Sequence, residues 1–528
     1  AIATSGPGAT NLLTGICSAY YDSVPVLYIT GQVSTFRQKK DTGVRQIGFQ
    51  ETEIVPMFKH VTNYAVQIED AKQIRYELEK ACYLARDGRP GPVLIDIPDN
   101  LQRVEINPEE LEGFTVPNKK DMSDPLDKQI NLCIKMLKKA ERPVIILGWG
   151  IRLAGAGKEA EEFLNTQGLP FAPTWAIADF LPSNHPLYVG TFGTHGTRYA
   201  NFTVQNADFI LSIGSRLDTK ATGSPINTFA REAKKVVVDI DQNELNKFKR
   251  FGLDIDLLIR CDAKLFLQKL NPKVKDIEKK DISVWLKQIS LWKNKYPVCS
   301  LSYYKEDDVN PYVFVKTLSN KCKEGDQIIV DTGCCLAWMM QGFEFKKNQR
   351  LFHDWNNTAM GWALAASIGA SFAINKSEII CVTGDGSLHM NLQELATIIR
   401  HKLPIKIFLL NNNGYSMIRQ TQDQWLDSSY IASSVEGGLP EVDFCKIAQA
   451  YGFHTINISK NNRINGTVDE VLNKKEPVFC NIEISHNHRV IPQVKYGRPN
   501  EDTEPLLKRK EFLENMIIPS LDCSKEGN

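Results

Sequence analysis

Residues 379–412 read IICVTGDGSLHMNLQELATIIRHKLPIKIFLLNN and decide the fold. Two continuous apolar runs enclose a stretch with helical periodicity, and such runs are typical of strands buried on both faces. The first run ends in GDGS, which contains Asp385, and the second ends in Asn411-Asn412. A strand–helix–strand order predicts parallel strands, so Asp385 and Asn412 are expected at the carboxyl edge of one sheet, where α/β proteins bind ligands.

The residues at this edge suit a phosphate-bound magnesium ion. A carboxylate, an amide oxygen and a loop carbonyl are hard oxygen ligands, and phosphate oxygens can complete the octahedron. Glycines beside Asp385 let the backbone approach a diphosphate closely, and a following helix N-terminus favours the anion. GDG or NN alone is most often an ordinary turn. Their combination on neighbouring strands favours the magnesium–diphosphate interpretation.

The rest of the chain repeats the alternation of strand and helix. This pattern predicts an α/β fold with three doubly wound parallel-sheet domains. Two polar, proline-containing stretches, Gln102–Asp127 and Asn271–Asn310, are interpreted as linkers, and the second is expected to contain one amphipathic helix around Trp285–Trp292. The predicted domains are residues 1–105, 128–270 and 311–490, followed by a tail at 491–528.

Composition excludes several classes of partner. The 528 residues carry 63 Lys and Arg against 62 Asp and Glu. This balance argues against a nucleic acid or a membrane surface as partner, since both need a concentrated basic face. The twelve cysteines include no CxxC pair, and no apolar run reaches the ~20 residues of a membrane span. A reducing cytoplasm is the expected location.

The chain begins at Ala1 in AIATSGPG, which reads as a strand running into a glycine turn. A natural protein seldom starts in mid-strand. We therefore expect the N-terminal part of the first domain to be missing from this sequence.

GDGSLHMNLQELAT and LPIKIFLLNNNGYSM resemble the cofactor motif of the acetolactate synthase (acetohydroxyacid synthase) family, whose members use thiamine diphosphate. Three further segments agree with that family. SGPGATNLLTGICSAYYDSVPVLYITGQV, followed by FQET, is similar to its pyrimidine-binding domain, and GTHGTRYANFTVQNADFILSIGSRLDTKATG is similar to its FAD-carrying domain. MGWALAASIGA precedes the GDG strand, as in the family. The resemblance covers nearly all of residues 1–490.

The resemblance implies a role for each matching residue. Mg²⁺ would be bound by the side chains of Asp385 and Asn412 and by the Gly414 carbonyl. The remaining cofactor and substrate contacts would be Gly384, Gly386 and Ser387 at the diphosphate, the Thr358 carbonyl at the 4′-amino group, Met360 at the bend of thiamine, Tyr415 and Met417 over the cofactor, and Gln50 facing the substrate from a partner subunit. Met360 could equally be plain core packing, and Gln50 a solvated loop residue.

The middle domain resembles a domain that holds FAD in this family. Its residues Arg216, Asp218 and Lys220 lie in GSRLDTKATG, and His195 precedes them. Asp239 and Asp262 are acids, and Asp239 ends a strand, where an acid can hydrogen-bond a ribose. FAD would be structural, because the net chemistry is not redox. Many thiamine enzymes keep this domain without a ligand, so an empty domain is the alternative.

The activity implied is a carboligation. A 2-keto acid such as pyruvate would lose CO₂, and its two-carbon unit would be joined to a second carbonyl, a step of branched-chain amino acid biosynthesis. A homodimer or homotetramer is implied, because the site lies between two subunits, and a regulatory subunit is a further partner found in the family. The family's activating glutamate lies upstream of SGPG. We expect the sequence as given to lack it and to be inactive by itself.

Five residues at three places in the chain depart from the family. Thr421 replaces a tryptophan that helps select the larger acceptor keto acid. Asp99 replaces a common lysine, and Cys335, Leu336 and Ala337 stand where Gly-Gln-His often contacts the diphosphate. The acceptor therefore stays open between a keto acid and a keto-sugar. A catalytically silent member of the fold is the third interpretation.

Overall fold

The computed structural model describes residues 1–118, 123–275 and 277–525. Part of the expected linker Gln102–Asp127, namely residues 119–122, lies outside the described residues. The chain divides into two units. The first comprises Ala1–Met122 with Asp354–Ala359, and the second comprises Ser123–His353 with Met360–Asn528.

The first unit contains a four-stranded parallel sheet in the order β1-β2-β4-β3. Buried apolar residues of β4, such as Leu94 and Ile95, form its centre. Its elements are β1 Ile2–Ala3, α1 Pro7–Thr10, α2 Leu13–Tyr21, β2 Leu27–Gln32, α3 Ile54–Phe58, β3 Tyr64–Gln67, α4 Ile74–Leu84 and β4 Val93–Pro98.

The second unit begins with a five-stranded parallel sheet in the order β6-β5-β7-β8-β9. The order in which strands are added reverses at β5: β6 lies on one side of β5 and β7 on the other. Both β5 and β7 are buried along their whole length. The elements are α5 Ser123–Leu137, β5 Pro143–Leu147, α6 Gly150–Leu153, α7 Gly157–Gln167, β6 Phe171–Pro173, α8 Arg198–Gln205, β7 Phe209–Ile213, α9 Thr219–Thr222, β8 Lys234–Asp239, α10 Gln242–Phe251, β9 Leu257–Arg260, α11 Ala263–Lys275 and α12 Ser283–Lys295.

The same unit continues with a six-stranded parallel sheet in the order β11-β10-β12-β13-β15-β14. Its elements are α13 Pro311–Lys321, β10 Gln327–Val330, α14 Cys334–Gly342, β11 Arg350–Phe352, α15 Trp362–Ala373, β12 Ile379–Gly384, α16 Asp385–His389, α17 Glu394–His401, β13 Ile405–Asn411, α18 Ser416–Trp425, α19 Phe444–Ala450, β14 His454–Ile458, α20 Ile464–Asn473 and β15 Val478–Glu483. A short antiparallel pair, β16 Gln493–Val494 and β17 Thr503–Glu504, and α21 Arg509–Glu514 follow.

The predicted fold class is confirmed: three parallel sheets are flanked by helices. The stretch Asn271–Asn310 is more structured than a linker: α11 extends to Lys275, and the helix expected around Trp285–Trp292 is present as α12. Trp285, Ile289 and Trp292 repeat at helical spacing on α12 and are buried in the core of the central sheet. Their apolar area stabilises the central domain, so this segment is part of that domain. Among the described residues, no helix has both the length and the apolar character that crossing a membrane requires.

Candidate active site

The site forms where β12 and β13 end. The two strands pair in parallel register, with Gly384 opposite Leu410. The chain then turns into α16 at Asp385 and into the loop 412–415 before α18. Because both strands are buried between helices, their ends have a fixed spacing, which places Asp385 and Asn412 on one edge as the sequence predicts.

Asp385 organises this edge through its carboxylate. One oxygen accepts the backbone N–H of Gly386 at 2.8 Å, and the other accepts those of Gly414 at 2.9 Å and Asn412 at 3.3 Å. Burial raises the pKa of the Asp385 carboxyl, and the three backbone donors oppose that rise. The carboxylate thus ties the turn after β12 to the loop after β13.

The amide oxygen of Asn412 has a partner that the sequence analysis did not single out. Arg419, on α18, donates from Nη2 to Asn412 Oδ1 at 3.0 Å and to the hydroxyl of Ser416 at 2.9 Å. The arginine is only 2% exposed. Its place seven residues after Asn412 could have been noticed, but an arginine on a polar helix face is usually solvated.

A cleft of about 190 Å³ opens beside these residues. Its lining combines polar residues at the strand ends with apolar residues from the segment 439–444. The lining residues are Asp385, Gly386, His389, Asn413, Gly414, Tyr415, Leu439, Pro440, Val442 and Phe444.

Two of the glycines have no room for a side chain. A Cβ on Gly386 would lie 2.2 Å from the Tyr415 ring, and one on Gly414 would lie 2.4 Å from the Ser433 carbonyl oxygen. Gly384 differs, because no atom lies within 4 Å of a Cβ placed there. The backbone at Gly384 therefore borders open space that a ligand could fill.

The donor set fits a magnesium ion held mainly by a phosphate. Within the described ranges, no group of three or more His, Cys, Asp or Glu side chains could hold a metal ion by itself. The edge instead offers one carboxylate, one amide oxygen and the Gly414 carbonyl. Mg²⁺ is typically held by one or two carboxylates together with substrate phosphates, so these residues fit the ion together with a diphosphate.

Met360 lies next to Gly386. Its methyl carbon is 3.3 Å from where a Gly386 Cβ would be, and the side chain is 38% exposed. This exposure does not match plain core packing. The chain after Met360 is anchored by Asp331, whose carboxylate accepts the N–H groups of Gly361 at 3.2 Å and Ala363 at 3.1 Å. The role of Asp331 was not foreseen.

Thr358 belongs to the first unit and adopts a left-handed backbone with φ of 51°. Such a conformation is strained for a β-branched residue and is found mostly where the surroundings enforce it. Hydrogen bonds to Asp354 hold this conformation. The Asp354 carbonyl accepts the Thr358 N–H at 3.0 Å. The Asp354 carboxylate accepts the Ala359 N–H at 2.9 Å and the Ser18 hydroxyl at 2.8 Å.

Gln50 also lies in the first unit with a left-handed backbone, φ 63°. Its backbone packs on Gly6, where a Cβ would lie 3.0 Å from the Gln50 carbonyl oxygen. The loop before it is held by the Glu51 carboxylate, which accepts the N–H groups of Ile47 at 2.8 Å and Gly48 at 3.1 Å. Gln50 is thus presented on a structured loop.

The central sheet brings its predicted residues to one edge as well. Gly148 and Gly214 meet at the reversal between β5 and β7, where a Cβ on Gly148 would lie 2.3 Å from the Gly214 carbonyl oxygen. The His195 loop touches the next loop, since Thr194 N–H donates to the Lys220 carbonyl at 2.8 Å. Asp218 caps α9 by accepting the Ala221 N–H.

Three buried polar atoms of His195 and Arg216 lack a hydrogen-bond partner among the described residues, namely His195 Nε2 and Arg216 Nε and Nη1. Burial lowers the pKa of His195 to about 4, so its ring is neutral at pH 7. Arg216 forms an ion pair with Glu244 through Nε at 3.2 Å. Buried polar atoms of this kind are commonly satisfied by an ordered water, an ion or a ligand.

The two acids of the central domain already have local partners. The Asp262 carboxylate caps α11 by accepting the N–H groups of Lys264 at 2.9 Å and Leu265 at 3.1 Å. Asp239 accepts the Asp241 N–H at 2.9 Å. Asp262 therefore has a structural role that its place before an apolar helix could have predicted.

Comparison with known proteins agrees with this geometry. The chain matches three family models: the thiamine pyrophosphate enzyme N-terminal TPP binding domain over residues 1–57, the central domain over 130–270 and the C-terminal TPP binding domain over 331–482. It is 31% identical to an acetolactate synthase large subunit of Cyanidium caldarium, over 97% of this chain and 86% of the relative. The chain belongs to the acetolactate synthase large-subunit family.

Other members show similar likeness. A probable large subunit of Methanocaldococcus jannaschii is 33% identical over 99% of this chain and 88% of its own length. The isozyme 2 large subunit of Escherichia coli is 30% identical over 95% and 87%, respectively. This chain is accordingly a thiamine-diphosphate-dependent enzyme of the acetolactate synthase type.

Proposed function

We propose that this enzyme joins two carbonyl compounds with loss of CO₂, using pyruvate as donor. The C1–C2 bond of one pyruvate breaks and its carboxylate leaves as CO₂. The former C2 forms a bond to the carbonyl carbon of the acceptor, whose oxygen takes up a proton. With a second pyruvate as acceptor, the product is acetolactate. The observation that carries the proposal is the oxygen-donor edge of Asp385, Asn412 and Gly414 beside a cleft.

Thiamine diphosphate, when bound, supplies the carbon nucleophile and the electron sink for the decarboxylation. The chain's own residues bind and orient it. Asp385 and Asn412 would hold Mg²⁺ with the Gly414 carbonyl. The diphosphate would lie along Gly384, Gly386 and Ser387, whose backbone leaves space for it on the Gly384 side.

The remaining assignments concern the reacting end of the cofactor. The Thr358 carbonyl is proposed to accept a hydrogen bond from the aminopyrimidine, and Met360 to support the bend of the molecule. Tyr415 and Met417 are proposed to cover the cleft and exclude water. Gln50 is proposed to reach the substrate from a second copy of the chain, which makes the active form a homodimer or homotetramer. A regulatory subunit is a further proposed partner.

We also propose that the central domain holds FAD without redox chemistry. His195 and Arg216 supply the support, because each carries a buried atom with no hydrogen-bond partner in the described part of the chain. Asp239, at the end of β8, is proposed to accept a hydrogen bond from a ribose hydroxyl. Asp262 would contribute from the start of α11, which it caps.

The test is product formation by the full-length natural protein supplied with thiamine diphosphate, Mg²⁺ and pyruvate alone. The expected result is acetolactate, and Asp385→Asn is expected to lower kcat/KM by about a hundredfold or more, since it removes the charged metal ligand. An Asp385→Asn enzyme with undiminished turnover would contradict the proposed metal site.

A second acceptor class has a specific observation in its favour. Thr421 is exposed on α18, and its hydroxyl is turned onto the Met417 carbonyl at 3.2 Å. The family's tryptophan at this position would fill far more space. A larger acceptor such as a keto-sugar is therefore the alternative. Consumption of pyruvate only when a keto-sugar is added would support it over acetolactate synthesis.

A further inference from the structure

Arg419 carries a buried positive charge next to the proposed metal site. Its guanidinium donates from Nη2 to Asn412 Oδ1, to the Ser416 hydroxyl and, at 3.3 Å, to the Asn412 carbonyl. Its Nε has no hydrogen-bond partner among the described residues. The residue is 2% exposed, so water cannot screen the charge effectively.

No carboxylate in the described part of the chain forms an ion pair with Arg419. Two other arginines of the second unit that are little exposed form ion pairs: Arg231 with Glu501 at 2.7 Å, and Arg498 with Asp502 at 2.6 Å. Buried Arg198 instead donates to the Thr503 carbonyl at 3.1 Å and the Pro505 carbonyl at 2.7 Å. Arg489, close to Arg419, pairs with Asp423 at 2.7 Å. Buried charges are costly unless matched. The charge of Arg419 can therefore act on an anion bound beside it.

The position of Arg419 affects two ligands in opposite ways. Asn412 Oδ1, the oxygen that would ligate Mg²⁺, already accepts from Arg419 Nη2. A cation on that oxygen would lie close to the guanidinium and be repelled, whereas a diphosphate beside Asp385 would be attracted. Two acids interact electrostatically with Arg419, namely Asp385 in the site and Glu436, and each contributes a single negative charge.

We propose that Arg419 couples metal binding to diphosphate binding. Its charge disfavours the bare divalent ion and favours the phosphate anion, so that the site fills with both together and does not collect metal alone. This inference rests on the proposed function of the edge as a magnesium–diphosphate site, and it makes Arg419 a positioning residue for that pair.

A purely structural role makes a different prediction. Arg419 also links Asn412 to Ser416 at the start of α18. If this link were its whole role, Arg419→Gln would loosen the loop and weaken the binding of both ligands. The coupling role instead predicts that one affinity rises while the other falls.

The experiment measures the two ligands separately on the full-length natural protein. Free Mn²⁺ is titrated without phosphate and followed by electron paramagnetic resonance, and inorganic pyrophosphate is titrated with a chelator present and followed by calorimetry. For Arg419→Gln we expect about tenfold tighter Mn²⁺ and about tenfold weaker pyrophosphate, a conservative figure for unit charges a few ångströms apart at an effective dielectric constant near 20. Arg419→Lys, which keeps the charge, is expected to restore both affinities towards the natural values.

Arg400→Gln is the matched control. Arg400 is exposed at the end of α17, so this variant changes the net charge equally while leaving the site intact. Both its affinities are expected to equal those of the natural protein. Melting temperatures without ligand show that each variant is folded.

The outcomes separate the two levels of the proposal. Unchanged affinities in Arg419→Gln, or two affinities that move in the same direction, overturn the coupling role. If the natural protein binds no thiamine diphosphate even with Mg²⁺ present, the proposed function itself fails. That measurement uses the natural protein alone and requires no Arg419 variant.

Discussion

A single buried carboxylate, that of Asp385, holds together the two loops of the candidate active site. Asp385 receives three backbone N–H groups from two separate loops. Because one carboxylate holds both loops, the geometry of the site is sensitive to small changes in the backbone around it. The glycines on either side of Asp385 show this sensitivity, because they differ in what surrounds them.

Gly384→Ala and Gly386→Ala are expected to behave differently. Gly384 has an extended backbone, φ −94°, and open space at its Cβ position, so Gly384→Ala should leave the melting temperature of the ligand-free protein unchanged. If the diphosphate lies there, the added methyl will weaken thiamine diphosphate binding about tenfold or more. Gly386→Ala must displace the Tyr415 ring and should lower the melting temperature by itself.

Calorimetric titration of thiamine diphosphate with Mg²⁺, together with thermal melting, checks both glycine variants. The assignment of Gly384 to the diphosphate is wrong if Gly384→Ala binds the cofactor as tightly as the natural protein does.

At the scale of elements, α18 carries residues with different tasks on different faces. Arg419 and Gln420 are buried, whereas Ile418 and Thr421 are exposed. The Gln420 side chain donates to the Val490 carbonyl at 3.0 Å and accepts the Val490 N–H at 3.0 Å. The helix thus holds the segment after β15 with one face, while Thr421 is exposed.

Thr421→Trp is expected to shift acceptor choice. A tryptophan would present apolar area where threonine presents one methyl group, and extra apolar contact to a longer acceptor favours it by roughly tenfold. The measurement is the ratio of products when the enzyme is offered pyruvate together with 2-ketobutyrate. Thr421→Ser, which keeps the hydroxyl bond to the Met417 carbonyl, should leave the ratio unchanged. An unaltered ratio in Thr421→Trp would remove this position from acceptor selection.

In the first unit, Asp96 on β4 joins two strands. Its carboxylate is fully buried and accepts the Thr30 hydroxyl at 2.6 Å and the Gln32 amide at 3.0 Å. Gln32 also donates to the Thr52 carbonyl at 2.7 Å, close to Gln50. Burial raises the pKa of Asp96 to about 6, while these two hydrogen bonds oppose the rise.

This raised pKa predicts a pH dependence of stability. The folded state binds the Asp96 proton more tightly than the unfolded state, whose pKa is near 3.8, so the stabilisation is complete below about pH 4 and is lost as pH rises through about 6. The loss amounts to about 3 kcal/mol. Asp96→Asn should remove this pH dependence, because the amide does not titrate. The melting temperature of Asp96→Asn, relative to the natural protein, should rise between about pH 4 and pH 7.

Asp99→Asn is the control for this pH dependence, since Asp99 lies at the exposed end of the same strand. It should follow the natural protein at every pH. A constant difference between Asp96→Asn and the natural protein would show that Asp96 does not titrate in this range.

At the scale of the whole molecule, the second unit links its two sheets through buried polar groups. Asp179 accepts from Arg152 at 2.6 Å on the central side and from the Leu351 N–H at 2.9 Å on the other. Gln341, on α14, donates to the His195 carbonyl at 3.0 Å. The loop proposed to bind FAD is thereby connected to the domain proposed to bind the diphosphate.

The proposed FAD predicts a spectrum and a stability effect. The purified full-length protein should show flavin absorption, and removal of the flavin should lower its melting temperature, because a ligand bound only to the folded state stabilises it. The flavin spectrum should stay oxidised during turnover. Arg216→Gln should lose most of the flavin.

Arg250→Gln serves as the control for flavin content. It removes an exposed arginine from the last turn of α10 in the same domain and should retain the flavin. A colourless natural protein, prepared with FAD present, would show that the central domain keeps its fold without this ligand.

The sequence by itself determined the order of strands and helices, the fold class and the two strand ends that carry Asp385 and Asn412. These features are local: apolar periodicity and glycine turns record which face of each element is buried. The resemblance to the family could be recognised for the same reason, because the family's motifs are short segments at strand ends.

Only the tertiary structure decided which polar groups meet. It placed Arg419 on the amide oxygen of Asn412, Asp331 under the chain after Met360, and Asp354 in the first unit beside Ser18. Nothing in a linear pattern tells a buried arginine from a solvated one, because burial depends on what distant segments pack over it. Packing buried Arg419 beside the proposed metal site without an ion pair among the described residues.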